Sequence, residues 1–155
     1  MKHILALAAM VFATSCFGQA PTGEMENELL AWFPFSNNTF DASGNGNHAV
    51  LSGPESFSEG LYGEAICLSD ANYMSMDNLL ASGLTEFSCF AMVKLQQNLY
   101  ADIAGDWGSS FLLRYVPSEG WALNVNGSDG SIQIMSGITP NWATWNRVGF
   151  VHDEE

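Results

Sequence analysis

Positive charge is what this chain has least of: four Lys and Arg residues stand against 17 Asp and Glu, a formal net charge of −13. A surface so poor in cations has little to offer a phosphate backbone or an anionic headgroup, which excludes nucleic acid and anionic lipid as partners. Long apolar runs are also missing. The longest, residues 4–13, is too short to cross a bilayer as a helix. No stretch of useful length carries a helical hydrophobic period, although residues 77–82 could form one turn. The catalytic signatures are absent as well. There is no Gly-x-Ser-x-Gly elbow and no His-Glu-x-x-His, so acyl transfer and zinc hydrolysis have no support. Of the histidines, His3 lies in the first residues, His48 follows a Gly/Asn loop and His152 sits near the end.

Paired carboxylates fare no better. A retaining glycosidase holds two acids about 5 Å apart across the scissile bond. Glu24, Glu26 and Glu28 alternate, but they precede the first apolar segment, and Asp106, which shares a strand face with Asp102, opens a turn. The chain is therefore read as having no catalytic residue and as not an enzyme.

What is present begins with a leader. Met1-Lys-His gives a short positive region, residues 4–13 an apolar run, and residues 14–20 an exit of mainly small residues. Cleavage after Gly18 leaves Gln19 first and a soluble secreted product. The alternative is a degenerate lipobox, Ala13-Thr-Ser-Cys16, with Cys16 acylated and the chain held at the bacterial outer surface, a membrane association through the lipid anchor alone. The organisation expected is thus a signal peptide at 1–18, an acidic spacer at 19–28 and one domain at 29–155. Once the leader is gone, 17 acids face three bases, Lys94, Arg114 and Arg147. That balance is compatible with divalent cations, and equally with acidity that keeps an extracellular protein dissolved.

Cysteine is scarce too. Of three, Cys16 belongs to the leader or the anchor, leaving Cys67 and Cys89. An oxidising compartment allows a Cys67–Cys89 disulfide if their strands are adjacent, with Cβ atoms within roughly 4.5 Å. Two buried free thiols are the other reading. Metal ligation by two lone cysteines without a neighbouring His is not expected.

The remainder alternates strand and turn. Strands are predicted at 29–35, 49–52, 65–68, 73–76, 87–95, 100–105, 111–116, 121–125, 131–135 and 147–152. Between them lie Ser43-Gly-Asn-Gly46, Ser118-Glu-Gly120, Asn126-Gly-Ser-Asp-Gly130 and Thr139-Pro-Asn141. In Trp121-Ala-Leu-Asn-Val-Asn126 the apolar residues 121, 123 and 125 share one face. Short strands at regular spacing, with 47% hydrophobic residues to fill a core, predict an all-β antiparallel sandwich or jelly roll. Trp32, Trp121 and Trp145 fall in the core pattern. Trp107 and Trp142 stand beside turns, where an indole either anchors a loop or stacks on a sugar ring.

The most informative stretch is Trp32-Phe-Pro-Phe-Ser-Asn-Asn-Thr-Phe-Asp-Ala-Ser-Gly-Asn-Gly-Asn47, an apolar segment entering a polar loop. Gly44 and Gly46 accept positive φ freely, so the loop can gather its carbonyls and the Asp41 carboxylate at one point. That suits a structural turn or a cation site with Asp41, Ser43, Asn45 and Asn47 as candidate ligands. The stretch resembles the opening of LamG-like jelly-roll domains of the concanavalin A-like family. Gly63-Glu-Ala-Ile-Cys-Leu-Ser-Asp-Ala-Asn-Tyr-Met-Ser-Met76, Leu84-Thr-Glu-Phe-Ser-Cys-Phe-Ala-Met-Val-Lys94 (with Met92 where the family has Trp) and Trp145-Asn-Arg-Val-Gly-Phe-Val151 resemble its later landmarks, in order.

The resemblance implies a concanavalin A-like jelly roll and a non-catalytic extracellular domain that binds carbohydrate or protein through its loops, in some members with calcium. Calcium wants 6–8 oxygen ligands, so a second acid would have to join Asp41. Two other functions stay open: the binding region of a larger glycoside hydrolase or adhesin, and a structural surface protein without ligand. The family also continues past the strand at 147–151, which implies further C-terminal strands. Without them, Leu30 and Trp32 are expected to lie along an open, wet edge.

Overall fold

The computed structural model describes residues 3–6, 28–77, 83–105, 110–127 and 130–153, with residues 3–6 and 127 as backbone alone. It is an all-β chain, with no α-helix among the described residues. The strands are β1 (His3–Ala6), β2 (Val50–Ser52), β3 (Phe57–Glu59), β4 (Glu64–Ile66), β5 (Tyr73–Ser75), β6 (Glu86–Val93), β7 (Ala101–Gly105), β8 (Phe111–Val116), β9 (Gly120–Gly127), β10 (Gly130–Met135) and β11 (Asn146–Asp153). One sheet runs β1-β6-β11, another β10-β9-β8-β7, and two short hairpin-like ladders pair β2 with β5 and β3 with β4. Every ladder is antiparallel except β1 on β6.

Period-two patterning decides which side chains meet. Phe87, Cys89 and Ala91 of β6 lie opposite His152, Phe150 and Val148 of β11, so all six share the inner face of that sheet. Phe111 of β8 closes on them from the other sheet, its ring centroid 5.4 Å from Phe87 and 5.1 Å from Phe150. Ala31, Phe33 and Ala49 complete this core, and Ala91, Leu113 and Val148 form a second cluster beside it. On the outer face, Gly149 lies beneath the Phe90 ring, where a Cβ would collide with Phe90 Cδ1 and the Cys89 carbonyl.

Three findings differ from the sequence expectations. Residues 29–35 join none of the named strands, yet they are not wet: Ala31, Trp32 and Phe33 are buried and Leu30 packs on the core. Backbone bonds to the following loop, such as Ala42 N–H to the Trp32 carbonyl at 2.8 Å, take the place of a ladder. Second, His3–Ala6, for which no strand is predicted, pairs with Phe87–Phe90. Third, the Cys67–Cys89 bridge is not formed. Cys67 follows β4, which pairs with β3, whereas Cys89 lies in β6, which pairs with β1 and β11, and both thiols are free. The Cys67 thiol donates to Ser58 Oγ at 3.2 Å, and Cys89 is wholly enclosed in the core.

Candidate functional site

The loop after the apolar opening segment is the best-defined polar structure among the described residues. Gly44 and Gly46 take φ of 92° and 75° with open space around them, so the backbone conformation, not crowding, calls for glycine there. Asp41 sits under this turn, 6% exposed. Its Oδ1 accepts from the Trp32 N–H at 2.9 Å and the Ser43 N–H at 2.8 Å. Its Oδ2 accepts from the Ser43 hydroxyl at 2.8 Å and the Asn47 N–H at 3.0 Å. Burial raises the Asp41 pKa, but the bonds from Ser43, Trp32 and Asn47 outweigh it and hold the carboxyl below its ordinary range.

Asn45 and Asn47 work from the other side. The Asn45 amide donates to the Leu29 carbonyl at 2.5 Å, and the Asn47 amide to the Leu30 carbonyl at 2.8 Å. The Asp41 N–H donates to His48 Nδ1 at 3.0 Å, and Thr39 Oγ1 to the Ala49 carbonyl at 2.6 Å. The structure thus brings Asp41, Ser43, Asn45 and Asn47 together, as a staple that ties residues 29–32 to the fold. A carboxylate offers about four lone-pair directions, and four donors already occupy those of Asp41. In this arrangement the carboxylate does not fit as a calcium ligand. Among the described residues, no group of three or more His, Cys, Asp or Glu side chains is placed to hold a metal ion.

Trp142, the other candidate contact, is 39% exposed. Its indole stands edge-on to Tyr115 at 5.5 Å, and Tyr115 in turn meets Trp121 at 5.6 Å and donates to Asn98 Oδ1 at 2.6 Å. The turn beneath it is closed by Asn146, whose Oδ1 accepts from the Asn141 N–H and whose amide donates to the Asn141 and Thr144 carbonyls, each at 3.0 Å. Trp107 and Cys16 lie outside the described residues, as do residues 7–27 and 78–82.

Sequence reading missed the Asn146 clamp and the His48 acceptor. An Asn five residues after another gives no local signal, since the bond depends on how the turn folds back. It also missed a cluster on β7 and β8, where Arg114 Nε lies 3.0 Å from Asp102 and its guanidinium sits 5.3 Å over the Tyr100 ring. Strand alternation could have placed residues 102 and 114 on polar faces, though not opposite each other.

No protein-family model, curated protein or solved structure matches the chain. The fold itself defines the class: an all-β protein of mainly antiparallel sheets facing across an aromatic core. No helix among the described residues is long and apolar enough to cross a membrane.

Proposed function

We propose that this chain is a non-catalytic extracellular recognition domain, a LamG-like jelly roll that binds carbohydrate or protein through loops at the sandwich rim. The observation that carries the reading is Trp142. Its ring is partly exposed, braced on Tyr115 and mounted on a turn that Asn146 closes from three sides. An aromatic platform already fixed in place loses little entropy when a ligand settles on it, and an indole suits the apolar face of a pyranose. The leader and the acidic surface fit a secreted or surface-held protein.

The test is binding of the secreted product to an array of immobilised oligosaccharides. Trp142→Ala should lose retention on whichever glycan the parent binds while its melting temperature falls by no more than a few degrees. Equal retention of the two proteins would remove Trp142 from the site. A calcium-dependent form of this reading requires Asp41 to release at least one of its four donors to the ion.

A further inference from the structure

Among the described residues, β7, β10 and β11 each end a sheet. β7 carries Asp102 and a register shift between Asp102 and Ala104, and β11 carries Arg147 and Asp153. Charge and irregularity of this kind keep other chains off a sheet edge. β10 has neither. Its pairing with β9 is regular from Gly130 to Met135, and residues 130–146 contain no Asp, Glu, Lys or Arg in a chain of net charge −13. The strand is also apolar on one side. Ile132 lies opposite Val125 and Ile134 opposite Leu123, so both stand on the core side of the sheet, yet they are 65% and 56% exposed. Past Met135 the chain continues along β9, with the Ser136 N–H on the Trp121 carbonyl at 2.8 Å, and Ile138 beyond it is exposed. The four-stranded sheet thus outruns the three-stranded sheet that it faces, and its margin is an apolar strip beside an open row of backbone groups.

We infer that β10 is a docking edge for an extended segment of another protein, one of alternating apolar and cationic residues, which adds to this sheet as a further strand. The inference goes beyond the rim reading and uses neither Trp142 nor a glycan. Backbone supplies the affinity, because an added strand pairs its N–H and C=O groups with the row along the outer side of β10. Side chains supply the choice. Alternation sets every second residue of the added strand beside Ile132 and Ile134, where β-branched side chains make cross-strand pairs. The residues between them fall on the side of Ser131 and Gln133, both exposed. Charge selects among the occupants. A second copy brings its own −13, and an acidic segment is repelled likewise, whereas a cationic strand is drawn in by the field of the whole chain and meets no cation on the edge itself. Glu119, exposed and with its carbonyl accepting from the Gly137 N–H at 3.1 Å, sets an acid at the end of the same margin.

The experiment titrates the full secreted product into a labelled synthetic octapeptide of alternating Val and Lys at pH 7 and low salt, read by fluorescence anisotropy. Two further peptides serve as controls: one with Glu in place of Lys, and one N-methylated at its four central residues, which blocks both of its edges. The Val-Lys peptide is expected to bind saturably, and each control at least tenfold more weakly. Ile132→Thr combined with Ile134→Thr should weaken the Val-Lys peptide at least tenfold. Both isoleucines are exposed and Thr suits a strand; should this variant nevertheless fail to fold, the methylated peptide tests the pairing on the parent protein. Binding unchanged in the double variant overturns the inference, and so does a methylated peptide that binds as well as its parent, since charge alone then holds it. Equal binding of the Val-Glu peptide overturns the cationic partner. A parent protein that sediments as a dimer at pH 7, where the double variant does not, gives the edge to a second copy and overturns the inference. The absence of saturable binding overturns it as well, and leaves glycan retention through Trp142 to stand or fall by its own test.

Discussion

At the residue scale, Asp41 carries the most consequence. Asp41→Asn keeps the shape but sets an amide N–H among four donors, and the expected loss is about 2–4 kcal/mol in urea-induced unfolding. The sign of its pH dependence follows from its environment. The folded carboxyl titrates below its ordinary range, so the folded state holds this group's charge more firmly than the unfolded chain does. The stabilisation is therefore complete above the unfolded value and is lost as pH falls through the lower folded value. As pH falls through the unfolded carboxylate range and below it, the parent should lose stability with a steeper slope than Asp41→Asn. Parallel slopes would mean that Asp41 is not the linked group. The cysteines are the second case. Burial pushes the Cys89 thiol up to about 12, and the residue is fully enclosed, whereas Cys67 is half-buried on a hairpin. Iodoacetamide should add one adduct to the native product freed of residues 1–18 and two after unfolding. A product that takes up none until it is reduced would establish the bridge instead.

Among the elements, most of the ladders are legible in the sequence, because alternation and Gly/Asn turns are local signals. The strand predicted at 111–116 is Phe111–Val116, and those at 121–125 and 147–152 extend by one or two residues at their ends. Besides His3–Ala6, two elements are not legible, for different reasons. Phe57–Glu59 is three residues long, too short to show a period, and forms because the turn over Gly60 folds it onto Glu64–Ile66. Residues 29–35 have the composition of a strand, but their backbone groups are satisfied by the loop that follows, which composition cannot reveal. The candidate site divides the same way. The identities of Asp41, Ser43, Asn45 and Asn47 single out the loop; which of its atoms point inward depends on the fold. Because the hydrogen bonds already saturate Asp41, the melting temperature should be the same in millimolar calcium as in EDTA. A rise of several degrees with calcium would show that the ion displaces a donor and binds.

For the whole molecule, the question is what keeps copies of this chain apart. β10 ends its sheet and presents Ile132 and Ile134 on one side, 65% and 56% exposed, and β11 exposes Val151 to 65%. An edge strand with unpaired backbone groups and apolar side chains invites another copy to pair with it. The opposing force is charge: at neutral pH the −13 formal charge makes copies repel. That repulsion vanishes near the sequence pI of about 4.2. Acidification should therefore raise light scattering steeply as pH approaches 4, and molar salt at pH 7 should act in the same direction by shortening the screening length to about 3 Å. Replacing Ile132 and Ile134 together with Lys places charge on the edge at exposed positions, with little expected effect on the melting temperature at pH 7. The double variant should stay dispersed in molar salt where the parent scatters. Scattering that is the same in both proteins, or that begins only after circular dichroism reports loss of strand, would assign the association to unfolded chains and not to the open edge.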